Sequence, residues 1–267
     1  MYVIAYISSI EDIRSVYAIT DTKPRPSCCS DARSNIDPVT SPRAQPSTIA
    51  VDDTHRVSAL TLIPPSARAC FVFAHGAGAG MTHPFMEAIA AGLGGVGIAT
   101  LRFQFPYMEA RARRPDPPAL CHATVRAAVA EATRISHGLP LFAGGRSFGG
   151  RMSSQAQAKS PFPGVLGLAF LGFPLHPAKQ PSDERGQHLF EVDTPLLFLQ
   201  GDRDELADLT LLQTLIARLG HRATLKLIPN ANHSYRVPAR TGRTEAQVVN
   251  ELVQTLDDWI GTVIASS

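Results

Sequence analysis

The stretch Gly144-Gly145-Arg146-Ser147-Phe148-Gly149-Gly150 contains the pattern G-x-S-x-G at positions 145–149, directly after the apolar run Leu139-Pro140-Leu141-Phe142-Ala143, which reads as a buried parallel strand. A serine hydroxyl becomes a usable nucleophile when the chain turns sharply from strand into helix. Flanking glycines permit that turn, because a Cβ there would collide with neighbouring backbone. Ser147 is therefore the candidate nucleophile. Its hydroxyl is barely ionised at neutral pH, so an imidazole must accept its proton and a carboxylate must hold that imidazole in the right tautomer.

Both partners are available further along the chain. Pro195-Leu196-Leu197-Phe198-Leu199-Gln200 is an apolar strand running into Gly201-Asp202-Arg203-Asp204, and Ala223–Ile228 is a strand running into Pro229-Asn230-Ala231-Asn232-His233-Ser234. An acid and a histidine thus follow later strand ends, in the order serine, acid, histidine. Asp202 and Asp204 both compete for the acid and His233 is the candidate base, whereas His221 precedes its strand, on the wrong edge of a sheet. Upstream, Ala69–Ala74 leads into His75-Gly76-Ala77-Gly78-Ala79-Gly80, a loop whose backbone N–H groups could face an oxyanion.

These residues need a frame, and the hydrophobic pattern supplies one. From about residue 47 it predicts a hairpin (47–63), then strands at 69–74, 98–103, 139–144, 164–171, 195–200 and 223–228. Helices are predicted at 83–94, 119–136, 148–159, 208–219 and 243–263. Continuous apolar strands alternating with amphipathic helices imply a doubly wound α/β architecture with a mostly parallel sheet covered on both faces. Between the strands at 164–171 and 195–200 lie Pro174, Pro177 and Pro181, with room for one small helix near 183–190. That is too short for a lid, so an open site and short acyl chains are expected.

A chain of 267 residues with 44% hydrophobic residues can fill one such domain, and its formal charge of +2 is spread rather than striped, which calls for neither nucleic acid nor an anionic membrane as partner. Residues 20–47 are rich in Pro, Ser, Asp, Arg and Thr, and with the mildly apolar start before them they predict a disordered leader over 1–46 before a domain at 47–267. The native start could then lie near Ser47. With no signal peptide legible at the N-terminus, a cytoplasmic location is expected, and Cys28, Cys29, Cys70 and Cys121 read as free thiols. The apolar stretch from Val165 to Leu175 is about half the ~20 residues of a membrane span.

Three patterns mislead. Gly92-Leu93-Gly94-Gly95-Val96-Gly97 spells G-x-G-x-x-G, but after a helix and before a strand, the reverse of a dinucleotide site. The run Gly144–Gly150 lacks the lysine of a phosphate-binding loop. Arg111-Ala112-Arg113-Arg114 is a basic run with no aromatic platform for nucleic acid.

Taken together, the chain from Ser47 onward resembles the α/β-hydrolase superfamily and, within it, the compact dienelactone-hydrolase-like group. It is most similar to the branch that includes testis-expressed protein thirty and the third subunit of the NSL chromatin complex. That narrower resemblance rests on Phe73–Met81, Leu101–Glu109, Gly145–Arg151 and Gly172–Pro177. It implies a serine hydrolase that cleaves small carboxylic esters or related acyl compounds through an acyl-enzyme, with no metal or cofactor. The superfamily's usual spacing, three residues after the turn glycine, favours Asp204 over Asp202. The N–H groups of Phe148 and Ala77 are the implied oxyanion donors. Arg102, Tyr107 and His176 fall near the mouth of such a site as candidate substrate contacts. Two other functions share this fold: a non-catalytic interaction scaffold, and a dienelactone or thioester hydrolase. The sequence leaves the oligomeric state open.

Overall fold

Apolar residues that alternate in strands and recur every three or four positions in helices build a three-layer molecule. The computed structural model describes residues 43–267. The expected leader over 1–46 therefore falls, except for its last few residues, outside the described residues. Of those few, Gln45 and Pro46 already belong to the first strand and pair with Thr61 and Leu60.

The strands are β1 (Gln45–Ala50), β2 (Arg56–Leu62), β3 (Ala69–Ala74), β4 (Ile98–Phe103), β5 (Leu141–Arg146), β6 (Val165–Leu171), β7 (Leu196–Gly201) and β8 (Ala223–Ile228). They form one eight-stranded sheet in the order β1-β2-β4-β3-β5-β6-β7-β8. The hairpin β1–β2 joins antiparallel, and β3 to β8 run parallel. The helices are α1 (Pro84–Gly95), the single turn α2 (Pro106–Glu109), α3 (Pro118–Ile135), α4 (Phe148–Lys159), α5 (Leu209–Leu219) and α6 (Glu245–Ser266). The small helix expected near 183–190 is a 3-10 helix at Glu184–Glu191, and among the described residues no large lid covers the sheet edge.

Each central strand serves two cores. In β3, Cys70, Val72 and Ala74 face the layer of α3, α4 and α5, whereas Ala69, Phe71 and Phe73 face α1 and α6. Strands buried on both faces lose the alternation that marks a half-exposed strand, so they read as unbroken apolar runs. Each fully buried leucine or phenylalanine contributes about 1.5–3 kcal/mol, which fixes the register of the strands carrying the site. The misleading glycine run ends α1, where Gly92 lies against Val253 of α6 and Gly97 turns into β4 with φ of 80°. No helix among the described residues is long and apolar enough to cross a membrane.

Candidate active site

Parallel strands deliver their following loops to one edge, and the candidate residues gather there. After β5 the chain reverses at Ser147, whose φ of 49° and ψ of −115° are rare for a residue with a side chain. Two contacts force that geometry. The Ser147 N–H donates to Leu171 O at 3.1 Å, tying the turn to the end of β6. Gly149 lies so close to the end of β3 that a Cβ on it would come within 2.5 Å of both Ala74 O and His75 O. Those atoms are backbone and cannot swing aside. Gly149→Ala should therefore cost about 1–3 kcal/mol, read as a lowered urea midpoint; an unchanged midpoint would mean that the turn is not pinned there.

Ser147 Oγ donates to His233 Nε2 at 2.8 Å, and His233 Nδ1 donates to Asp204 Oδ2 at 2.7 Å. The histidine side chain is 17% exposed and the carboxylate fully buried. Three strands thus supply the three groups: β5 the serine, β7 the acid and β8 the histidine. Asp202 stands outside this line, exposed to solvent. The turn Gly201–Asp204 makes the difference, because Asp204 N–H closes back on Gly201 O at 3.2 Å and points the later aspartate inward.

Further side chains brace the line, and none of them belongs to a motif legible in the sequence. Gln200, 1% exposed, donates from Nε2 to Asp204 Oδ2 at 2.5 Å and accepts from the Phe173 N–H at 2.9 Å. A second N–H, from Leu206, reaches Asp204 Oδ1 at 2.8 Å, so both carboxylate oxygens are held by donors. The signal for Gln200 was present: one amide in an otherwise apolar strand has to find a partner when buried. On the histidine side, Tyr235 donates its hydroxyl to Leu199 O at 2.7 Å and stacks on Phe85 at 5.4 Å. Asn232 Oδ1 accepts from the N–H groups of Ser234 and Arg236, each at 3.0 Å, which fixes the loop around His233.

The loop after β3 is held just as firmly. His75 is fully buried; its Nδ1 donates to Gly76 O at 2.8 Å and its Nε2 accepts from the Phe105 N–H at 3.1 Å. Burial lowers its pKa to about 4, so the ring is neutral and its tautomer is set by those two bonds. Tyr107 Oη accepts from the Gly78 N–H at 3.1 Å, and Arg102, 4% exposed, donates to Met81 O at 2.9 Å. Both were expected near the mouth as substrate contacts, and both are buried braces of this loop. Neither the Ala77 N–H nor the Phe148 N–H donates to an acceptor among the described residues.

His176, the remaining candidate contact, is 3% exposed with both ring nitrogens engaged: Nδ1 donates to Pro177 O at 2.8 Å and Nε2 accepts from the Asp208 N–H at 2.7 Å. It fastens the segment after β6 to the start of α5 and has no donor left for a ligand. The basic run Arg111–Arg114 is exposed. Among the described residues no three His, Cys, Asp or Glu side chains gather as a metal ion would require.

A mostly parallel sheet flanked on both faces, with a serine turn after its fifth strand, defines the α/β-hydrolase class. The chain belongs to the α/β-hydrolase domain family, whose model matches residues 67–261. Solved structures share the fold. A dienelactone hydrolase from Anabaena variabilis is 21% identical, with a TM-score of 0.67 over 84% of this chain and 99% of that one. An α/β serine hydrolase without lid from Xanthomonas campestris is 20% identical, with a TM-score of 0.58 over 74% of this chain and 89% of that one. Est1E from Butyrivibrio proteoclasticus is 17% identical, with a TM-score of 0.62 over 84% and 99%.

Proposed function

We propose that the protein is a serine hydrolase that cleaves small carboxylic esters or related acyl compounds, thioesters and lactones among them, without metal or cofactor. The observation that carries this reading is the unbroken line from Ser147 through His233 to Asp204, at 2.8 and 2.7 Å. In the first half-reaction Ser147 Oγ bonds to the acyl carbon while its proton passes to His233 Nε2. Asp204, hydrogen-bonded to Nδ1, stabilises the imidazolium so formed. The carbonyl oxygen becomes an oxyanion held by the N–H groups of Ala77 and Phe148, where each donor is worth about 2.7–4 kcal/mol to the transition state. Collapse breaks the ester bond, and the leaving oxygen takes the proton from His233. In the second half, water gives its proton to His233 and attacks the acyl-serine, releasing the acid and restoring the hydroxyl.

The want of a large lid among the described residues supports short acyl chains, since added methylenes would stay in water. We place the chain in the branch of testis-expressed protein thirty and the NSL subunit on its motif residues, and in the cytoplasm as a small-molecule enzyme that needs neither nucleic acid nor membrane. Treatment with a fluorophosphonate should leave one phosphonyl adduct, mapped by peptide mass spectrometry to Ser147. Folded protein that takes up no adduct would favour a non-catalytic scaffold instead.

A further inference from the structure

The residue before the nucleophile is the member of the serine motif to which the reaction gives no task. Arg146 ends β5 and follows Phe142 and Gly144 on the sheet face covered by α1 and α6, a place where packing alone calls for an apolar side chain. Instead a half-buried arginine stands there, its Nε buried with no hydrogen-bond partner among the described residues. What the guanidinium does meet is a ring: its Cζ lies 4.9 Å from the centroid of Phe85, within reach of a cation–π contact.

Phe85 is itself fixed. Its N–H donates to His83 Nδ1 at 3.2 Å in the first turn of α1, and its ring stacks on Tyr235, with 5.4 Å between centroids and 4° between planes. Tyr235 comes two residues after His233 and has a φ of 60°, a conformation that a residue with a side chain keeps only where its surroundings impose it. Its contacts do so: the N–H donates to Asn232 O at 2.9 Å, the hydroxyl to Leu199 O at 2.7 Å, and the ring meets Phe85. Leu199 belongs to β7, the strand that runs into Asp204. The stack Arg146–Phe85–Tyr235 therefore touches every segment that delivers a member of the line: β5 for the serine, the loop after β8 for the histidine, and β7 for the acid.

We propose that Arg146 is a positioning residue for the hydrolysis, holding the His233 loop against the serine turn through Phe85 and Tyr235. This inference rests on the hydrolase reading of Ser147. The bond at stake is the one from Ser147 Oγ to His233 Nε2 at 2.8 Å, and a displacement of about 1 Å at such a bond costs on the order of a hundredfold in rate. An aliphatic side chain at position 146 would fill the space yet slide over the ring. A flat cation is drawn to the ring face, which fixes both its position and its orientation. Because the stack acts on the imidazole rather than on a bound ester, its loss appears in kcat and not in KM.

Rates on 4-nitrophenyl butyrate test it, with competent serines counted by titration to completion with a fluorophosphonate, so that unfolded protein drops out of kcat. Arg146→Met should lower kcat about tenfold and leave KM within about twofold of wild type. Arg146→Lys, which keeps a cation, should recover about threefold of that loss. Phe85→Leu should lower kcat as Arg146→Met does, and the double variant should be no slower than either single one, since each breaks the same stack. Arg126→Met is the structural control: it removes an arginine seated on Phe162 at 5.1 Å, beyond the far end of α4, and should leave kcat per titrated serine unchanged. Should Arg146→Met fail to fold, Arg146→Lys with Phe85→Leu carries the same cycle. Unchanged kcat in the stack variants, a rise in KM alone, no recovery with lysine, additive losses in the double variant, or an equal loss in Arg126→Met each overturns the inference, while wild-type turnover leaves the hydrolase reading intact. Wild type that cleaves no ester and takes no adduct on Ser147 defeats both.

Discussion

Ser147→Ala is expected to lower kcat by on the order of a million-fold on whatever ester the wild type cleaves, and to abolish fluorophosphonate labelling. The size follows from chemistry. Without Oγ no acyl-enzyme forms, and only water, oriented by the remaining groups, can attack. Alanine has a Cβ at the same φ of 49°, so backbone strain is retained and thermal stability should change little. Ser147→Gly makes a useful control. Glycine adopts that conformation freely, so this variant should be just as inactive yet more stable by about 1 kcal/mol, the strain that a side chain imposes there. A Ser147→Ala protein that retains even a tenth of wild-type kcat would end the nucleophile assignment.

Asp204→Asn should lower kcat by on the order of ten thousand-fold, with Asp202→Asn close to wild type. The hydrogen bonds around Asp204 explain why so small a change should matter. Oδ2 accepts from His233 Nδ1 and from Gln200 Nε2, and Oδ1 accepts from the Leu206 N–H. An asparagine amide has only one acceptor oxygen to offer these donors. If its NH2 faces Leu206, two donors meet and the loop is pushed apart. If it faces His233, the ring must accept at Nδ1 and carry its proton on Nε2, where it can no longer receive one from serine. Either way the imidazolium also loses its counter-charge. Asp202, in solvent, makes no contact with this line, and a loss of activity on its replacement would transfer the role to it.

The elements around the site were legible because the physics there is local. Five apolar runs mark strands buried on both faces, and glycines at 145 and 149 announce the serine turn. Boundaries moved slightly: the strand read at 139–144 lies at Leu141–Arg146, and the closing helix starts at Glu245, where Thr244 and Gln247 form a reciprocal cap. The choice between Asp202 and Asp204 could not be read from local pattern, since both are acids in one turn and only the fold decides which faces the histidine. Arg102, Tyr107 and His176 show the opposite limit. Each bonds a backbone group 21 to 32 residues away in sequence, a pairing no local pattern reveals. His75 was passed over as part of a glycine-rich loop for the same reason.

The serine and histidine that meet at 2.8 Å are separated by 86 residues, and β8, which delivers the histidine, is the last strand of the sheet. On a ribosome Ser147 is therefore synthesised on the order of ten seconds before His233. Throughout that interval the hydroxyl is an ordinary alcohol at neutral pH, unable to acylate itself from whatever activated acyl compounds the cell contains. A chain terminated or clipped before residue 233 stays equally inert. On the serine-hydrolase reading, reactivity arrives only with the final strand and helix.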